Sequence, residues 1–155
     1  MRHLYTLTLS GIAALAIAGT ALAQDMTHPA VKARKSVMSL YAFNLGQLGA
    51  MAKGEMEYDA DAAKAAAGNL ALLSQLNQSA RWPEGTDSAS AEGTRALPDI
   101  WSNFPDVASK AEDLAMAASL MEDAAGTDLA ALPGAMGALG GACGACHKAY
   151  RQPDN

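Results

Sequence analysis

The chain has 155 residues, half of them hydrophobic, with 11 Lys+Arg against 16 Asp+Glu and a formal net charge of −5. That acidic balance excludes the usual electrostatics of nucleic-acid or anionic-lipid binding, and it permits docking to a basic protein. The length suits one compact domain, and aromatic residues, at 5%, leave its core short of large rings.

Residues 1–23, MRHLYTLTLSGIAALAIAGTALA, hold an early basic Arg2, an apolar run from Leu7 to Ala18, and then Ala21-Leu22-Ala23. This is the pattern of a secretory signal peptide with an A-x-A cleavage site. The run is shorter than the ~20 residues a bilayer span needs. Cleavage after Ala23 leaves one domain, residues 24–155, with 10 Lys+Arg against 16 Asp+Glu and a charge of −6. No later segment reads as apolar enough for a membrane span. An exported chain meets oxidising conditions, under which two neighbouring cysteines tend to pair.

The rest reads as all-α. β-branched residues never alternate, and four segments carry apolar seams of 3-and-4 spacing. The first covers residues 29–53, with Val31, Arg34, Met38, Tyr41, Leu45, Leu48 and Ala52 on its seam. Pro29 suits the first turn, and Gly54 the stop. The second covers 60–80, with Asp59 as N-cap and Ala63, Ala66, Leu70, Leu73 and Leu76 inward. Residues 81–104 form a long loop with one helical turn at 98–101, anchored by Trp82, Trp101 and Phe104. The third helix covers 105–125, with Val107, Ala111, Leu114, Ala118 and Met121 inward. The fourth runs from 127 or 128 to 151 on Leu129, Leu132, Met136, Leu139, Cys143, Cys146 and Tyr150, with a break near Pro133. Four antiparallel helices with such seams make a four-helix bundle.

Both cysteines of the chain stand in GACGACHKAYR, residues 141–151. Cys143-Gly144-Ala145-Cys146-His147 is C-x-x-C-H, the c-type haem attachment motif. Two thiols three residues apart on a helix can each add to one vinyl group of the ring, and the adjacent imidazole then falls beneath the iron. A thioredoxin-like site calls for a strand that is not seen here. A plain disulfide gives His147 no role, and a structural zinc needs four ligands where the mature chain offers only His28 besides these. Gly137, Gly140, Gly141 and Gly144 crowd the same helix, at a cost of roughly 1 kcal/mol each relative to alanine. A broad ring against the backbone accounts for them, as does close helix packing.

Arg34 stands where an apolar residue is expected. Either it snorkels to solvent or it is buried and needs a partner, for which a haem propionate is the candidate. Met38, one turn on, is either core or a residue facing the iron opposite His147. Met26 and His28 read as loop and cap, with His28 as sixth ligand a weaker alternative.

These residues resemble the class II cytochromes c, the cytochromes c′ and their low-spin relatives, over essentially the whole mature chain. CGACHKAYR is similar to the family's C-x-x-C-H-x-x-[YF]-[RK], VKARKSVM matches its first helix, and LGAMAKGEMEYDADAA and ALPDIWSN match more weakly. The resemblance implies a left-handed four-helix bundle, one covalent haem c on Cys143 and Cys146, His147 as axial ligand, a periplasmic location and a homodimer made through the first two helices. It places Arg34 by a propionate, Met38 in the distal pocket and Arg151 by the proximal pocket; at a helix C-terminus Arg151 is also a favourable charge. Met38 as sixth ligand implies an electron carrier serving periplasmic redox proteins. A five-coordinate iron implies a binder of nitric oxide or carbon monoxide. Enzymatic activity is not expected, because no distal histidine or carboxylate is evident near Met38.

Overall fold

The computed structural model describes residues 27–153, and the expected signal peptide lies outside them. Helix α1 spans Pro29–Ala52. His28 is its cap, with Nδ1 accepting from the Ala30 N–H at 3.1 Å, and Gly54 closes it in the left-handed region at φ 73°. Helix α2 spans Ala60–Ser74, capped by Asp59, which accepts from Ala62 N–H at 2.8 Å. It stops short of residue 80. The Asn77 carboxamide oxygen takes the N–H and the hydroxyl of Ser79 at 3.0 and 2.7 Å. Such local bonds compete with the helix, and the chain leaves in a 3₁₀ turn, Ser79–Arg81. Leu76 is consequently exposed rather than inward.

The long loop packs on itself. Trp82 and Trp101 meet edge to face, with centroids 5.9 Å apart, and the Trp101 indole N–H donates to Trp82 O at 3.1 Å. A short α3, Asp99–Ser102, buries Ile100. Phe104 is no anchor: it opens α4, Phe104–Ala125, and stays 44% exposed. After a 3₁₀ turn at Leu129–Ala131, α5 spans Leu132–Tyr150. Pro133 sits in the first turn of α5, where its missing N–H costs nothing, so the expected break falls before the helix and not within it.

The helices α1, α2, α4 and α5 form the antiparallel bundle. Fully buried alanines let α2 and α4 approach closely: Ala63 and Ala67 on one, Ala118 and Ala125 on the other. On the inward seam of α4, Val107, Ala111 and Leu114 are only half-buried. At one end of the bundle Tyr58 donates to Ala125 O at 2.9 Å. At the other the loop closes on the end of α5, with Leu97 N–H donating to Tyr150 O at 3.0 Å. The helices α1 and α5 meet more sparsely than the other adjacent pairs.

Candidate functional site

Leu132, Leu139 and Tyr150 form the buried line of α5. Cys143 and Cys146 stand beside that line, half-buried, as free thiols. Burial raises both thiols above their ordinary range, so they are protonated at neutral pH. His147, also half-buried, is pushed the other way, by burial first and then by the charges of Arg151 and Arg95. A neutral imidazole with a free lone pair is the form that binds a metal.

Of Gly137, Gly140, Gly141 and Gly144, Gly140 lies nearest to His147 round α5 and Gly141 about a third of a turn away. A Cβ added at any of the four would meet nothing within 4 Å. They therefore do not serve close packing against another helix. They leave a smooth, open backbone surface beside the histidine. Leu129–Tyr150 is long and apolar enough to cross a membrane by length and composition, contrary to the expectation from the sequence, yet only 11% of its most apolar stretch is buried. Its free apolar surface lies where C-x-x-C-H projects, and an apolar ring there would cover it. Thiols, neutral imidazole and backbone cradle fit a covalent haem.

The antiparallel pairing of α1 with α5 fixes what faces this cradle. A Cβ at Gly49 would lie 3.7 Å from Met136 Cε. Eleven residues back along α1 is Met38, and eleven forward along α5 is His147. Equal rise per residue brings these two to the same level across the sparsely packed groove. Met38 is 46% exposed there, not part of the core. Tyr41, one turn on and buried, is pushed up to about 12 by burial, with the Cys143 thiol adding and Arg81 opposing.

Arg34 does not snorkel; it is 6% exposed. Nη1 donates to Arg81 O at 2.7 Å and Thr86 Oγ1 at 2.8 Å, and Nη2 to Thr86 O at 2.6 Å and Thr94 Oγ1 at 3.3 Å. The guanidinium lies over the Trp82 ring, 4.6 Å from its centroid. All four acceptors are neutral and belong to the loop, so Nε–H is the donor left for a propionate. Arg151 is exposed just past the last turn, its N–H donating to His147 O at 3.1 Å.

Three polar groups of this region were not evident from sequence. Thr86 and Thr94 looked like ordinary loop residues. Asp106 stands in the first turn of α4, where an acid is favourable in its own right, and it accepts the Tyr150 hydroxyl at 2.6 Å. The Gly, Pro, Ser and Asp content of the loop signals turns, not a receptor for arginine.

A family model described as Cytochrome C′ matches residues 29–151. A protein of Cereibacter sphaeroides named cytochrome c-554 is 47% identical over 124 residues, which is 80% of this chain and 93% of that one. Among solved structures, cytochrome c′ from Rhodobacter spheriodes superposes with a TM-score of 0.78 at 39% identity, covering 81% of this chain and 96% of the other. A ferrous variant of cytochrome c prime from Alcaligenes xylosoxidans, solved with bound NO, gives a TM-score of 0.70 at 35% identity, over 81% and 94% of the two chains.

Proposed function

This chain belongs to the cytochrome c′ family, the class II c-type cytochromes, and carries one covalent haem c; we propose that it is a periplasmic electron carrier without enzymatic activity of its own. The observation that carries the reading is the approach of α1 to α5 at Gly49 and Met136, from which equal rise per residue brings Met38 and His147 to one level across the groove. When bound, the haem supplies the one-electron Fe(III)/Fe(II) couple.

The chain's own residues do the rest. Cys143 and Cys146 would hold the ring as thioethers, and His147, kept neutral by burial, would give its nitrogen to the iron. Met38 would offer the iron a thioether from α1, and two protein ligands on a rigid bundle would keep rearrangement between oxidation states small. Arg34 orders the loop at the propionate end, and Arg151 keeps positive charge beside His147. Leu40 and Phe43 on α1, Leu72 on α2 and Leu76 just past the end of α2 are exposed apolar residues, and on them we place the contact of a homodimer.

The competing reading is a five-coordinate iron that takes nitric oxide or carbon monoxide. The half-exposed Met38 and the NO-bound relative favour it. The visible spectrum of the oxidised and reduced holoprotein, recorded with and without carbon monoxide, separates the two. Sharp low-spin bands unaffected by the gas, lost in Met38→Ala, support electron transfer. A broad high-spin Soret band that moves on adding carbon monoxide to the wild type overturns it.

A further inference from the structure

The last turn of α5 is tied to α4 by a polar cluster that the haem chemistry described above does not use. Tyr150, 6% exposed, lies three residues beyond His147. Its hydroxyl donates to Asp106 Oδ2 at 2.6 Å and accepts from the Asn103 side-chain amide at 2.9 Å. The other carboxylate oxygen, Oδ1, lies 3.4 Å from Lys110 Nζ. Tyr150 O meanwhile accepts from Leu97 N–H at 3.0 Å, so ring and backbone of this residue are held from different elements. A phenylalanine would fill the same space without the hydroxyl, and burying a hydroxyl is unfavourable unless its bond is made. The cluster therefore calls for a reason beyond packing.

We propose that Asp106 is a positioning and tuning residue for the haem: through the Tyr150 hydroxyl it fixes the turn that carries His147, and its carboxylate sets a negative charge beside the Cys146 tether that favours Fe(III). The inference rests on α5 bearing the haem, and not on whether the iron transfers electrons or binds a gas. Both groups keep the protonation state this needs. The Tyr150 bond holds the Asp106 carboxyl below the usual carboxylate range, and the same bond holds the Tyr150 phenol above its own. Tyr150 stands one helical turn beyond Cys146 on α5, so the Asp106 carboxylate bonded to its hydroxyl, with Lys110 beside it, lies at the same end of the helix as the haem attachment. Fe(III) carries one more positive charge than Fe(II), so an anion here stabilises the oxidised iron and Lys110 opposes it.

The test is the reduction potential of holoprotein variants by spectroelectrochemical titration, alongside thermal unfolding. Asp106→Asn keeps an oxygen for Tyr150 and removes the charge. It is expected to lower the Fe(III)/Fe(II) ratio at fixed ambient potential by roughly threefold to tenfold. Lys110→Met is expected to raise that ratio. Tyr150→Phe keeps both charges and is expected to move the ratio less than Asp106→Asn. Opposite signs for the two charge variants support the proposal. A purely structural cluster would lower the unfolding temperature in Asp106→Asn and Tyr150→Phe and leave the potential unmoved, and that outcome overturns it. Should Asp106→Asn fail to fold, an unmoved potential in Lys110→Met overturns it just as well. The carbon monoxide response of the wild type is read separately and bears only on the choice between carrier and gas binder.

Discussion

The bundle has two unlike halves. Between α2 and α4 the chain completes its own core: small alanines interlock, with Ala63, Ala67, Ala118, Met121 and Ala125 at 0% exposure. Between α1 and α5 it does not. There Cys143, Cys146 and His147 are only half-buried, Met38 is 46% exposed, and four glycines face open space. Alanine packing brings two helices together with little side-chain entropy lost. Apolar surface left uncovered beside reactive groups marks a volume for another molecule to fill. One half supplies rigidity, and the other spends it on holding a ring.

The largest effect that would break this comparison is chemical. Cys143→Ala with Cys146→Ala should abolish covalent haem, seen as loss of the haem mass and of colour after denaturation. The α2–α4 half should keep its helical circular dichroism signal. Loss of all helical signal in the apoprotein would mean that the alanine half does not stand by itself.

Next comes Arg34, which joins the haem half to the loop. Replacing it with methionine removes four hydrogen bonds and strands buried acceptors such as Thr86 O. The expected cost is about 3 kcal/mol in urea unfolding. Arg34→Lys should lose about half of that, because an ammonium cannot make the forked bonds or lie flat on Trp82. A near-neutral Arg34→Met would show that the loop is held by its tryptophans instead.

Smaller again is a pH effect at Tyr41, on the α1 wall. Its folded pKa is raised from 10.0 to about 12 because burial disfavours the phenolate. The folded state thus holds this proton more tightly than the unfolded chain. The associated stability is complete below pH 10 and is lost as pH rises towards 12, by up to about 2 kcal/mol. Tyr41→Phe should flatten that alkaline decline. An unchanged slope would place the late-titrating group elsewhere.

How much of this was legible in sequence follows from range. The haem motif was, because two thioethers and an axial nitrogen must fit within one turn and a half of helix, and that spacing is written in consecutive residues. The helices were too, since Val31, Tyr41 and Leu48, or Leu132 and Leu139, repeat with the helical period. Their ends were less so. Leu76 continues the apolar seam of α2 beyond its end at Ser74, and Phe104 reads as a loop anchor although α4 begins on it. The partners of Arg34 were not legible. A charged side chain at a core position announces that something must satisfy it, but neutral oxygens about fifty residues away carry no sign of their target. Asp106 was hidden by a good local reason for an acid in a first turn, which masked its distant one.

The finest test enlarges one small residue in each half. At Ala118, fully buried between α2 and α4, even a modest enlargement overpacks, and Ala118→Val should cost about 1–3 kcal/mol. At Gly140 the added Cβ meets nothing within 4 Å. Alanine also favours the helix over glycine, so Gly140→Ala should stabilise the apoprotein by up to about 1 kcal/mol. With haem attached the sign should reverse. A ring lying on the backbone beside His147 leaves no room for the methyl, so thermal stability should fall relative to wild-type holoprotein or covalent loading should drop. A Gly140→Ala variant that gains stability equally with and without haem would move the ring off this face and leave the glycines without a purpose. The apoprotein and holoprotein pair matters more than either measurement alone, because helix propensity is common to both and cancels, leaving only the contact with the ring.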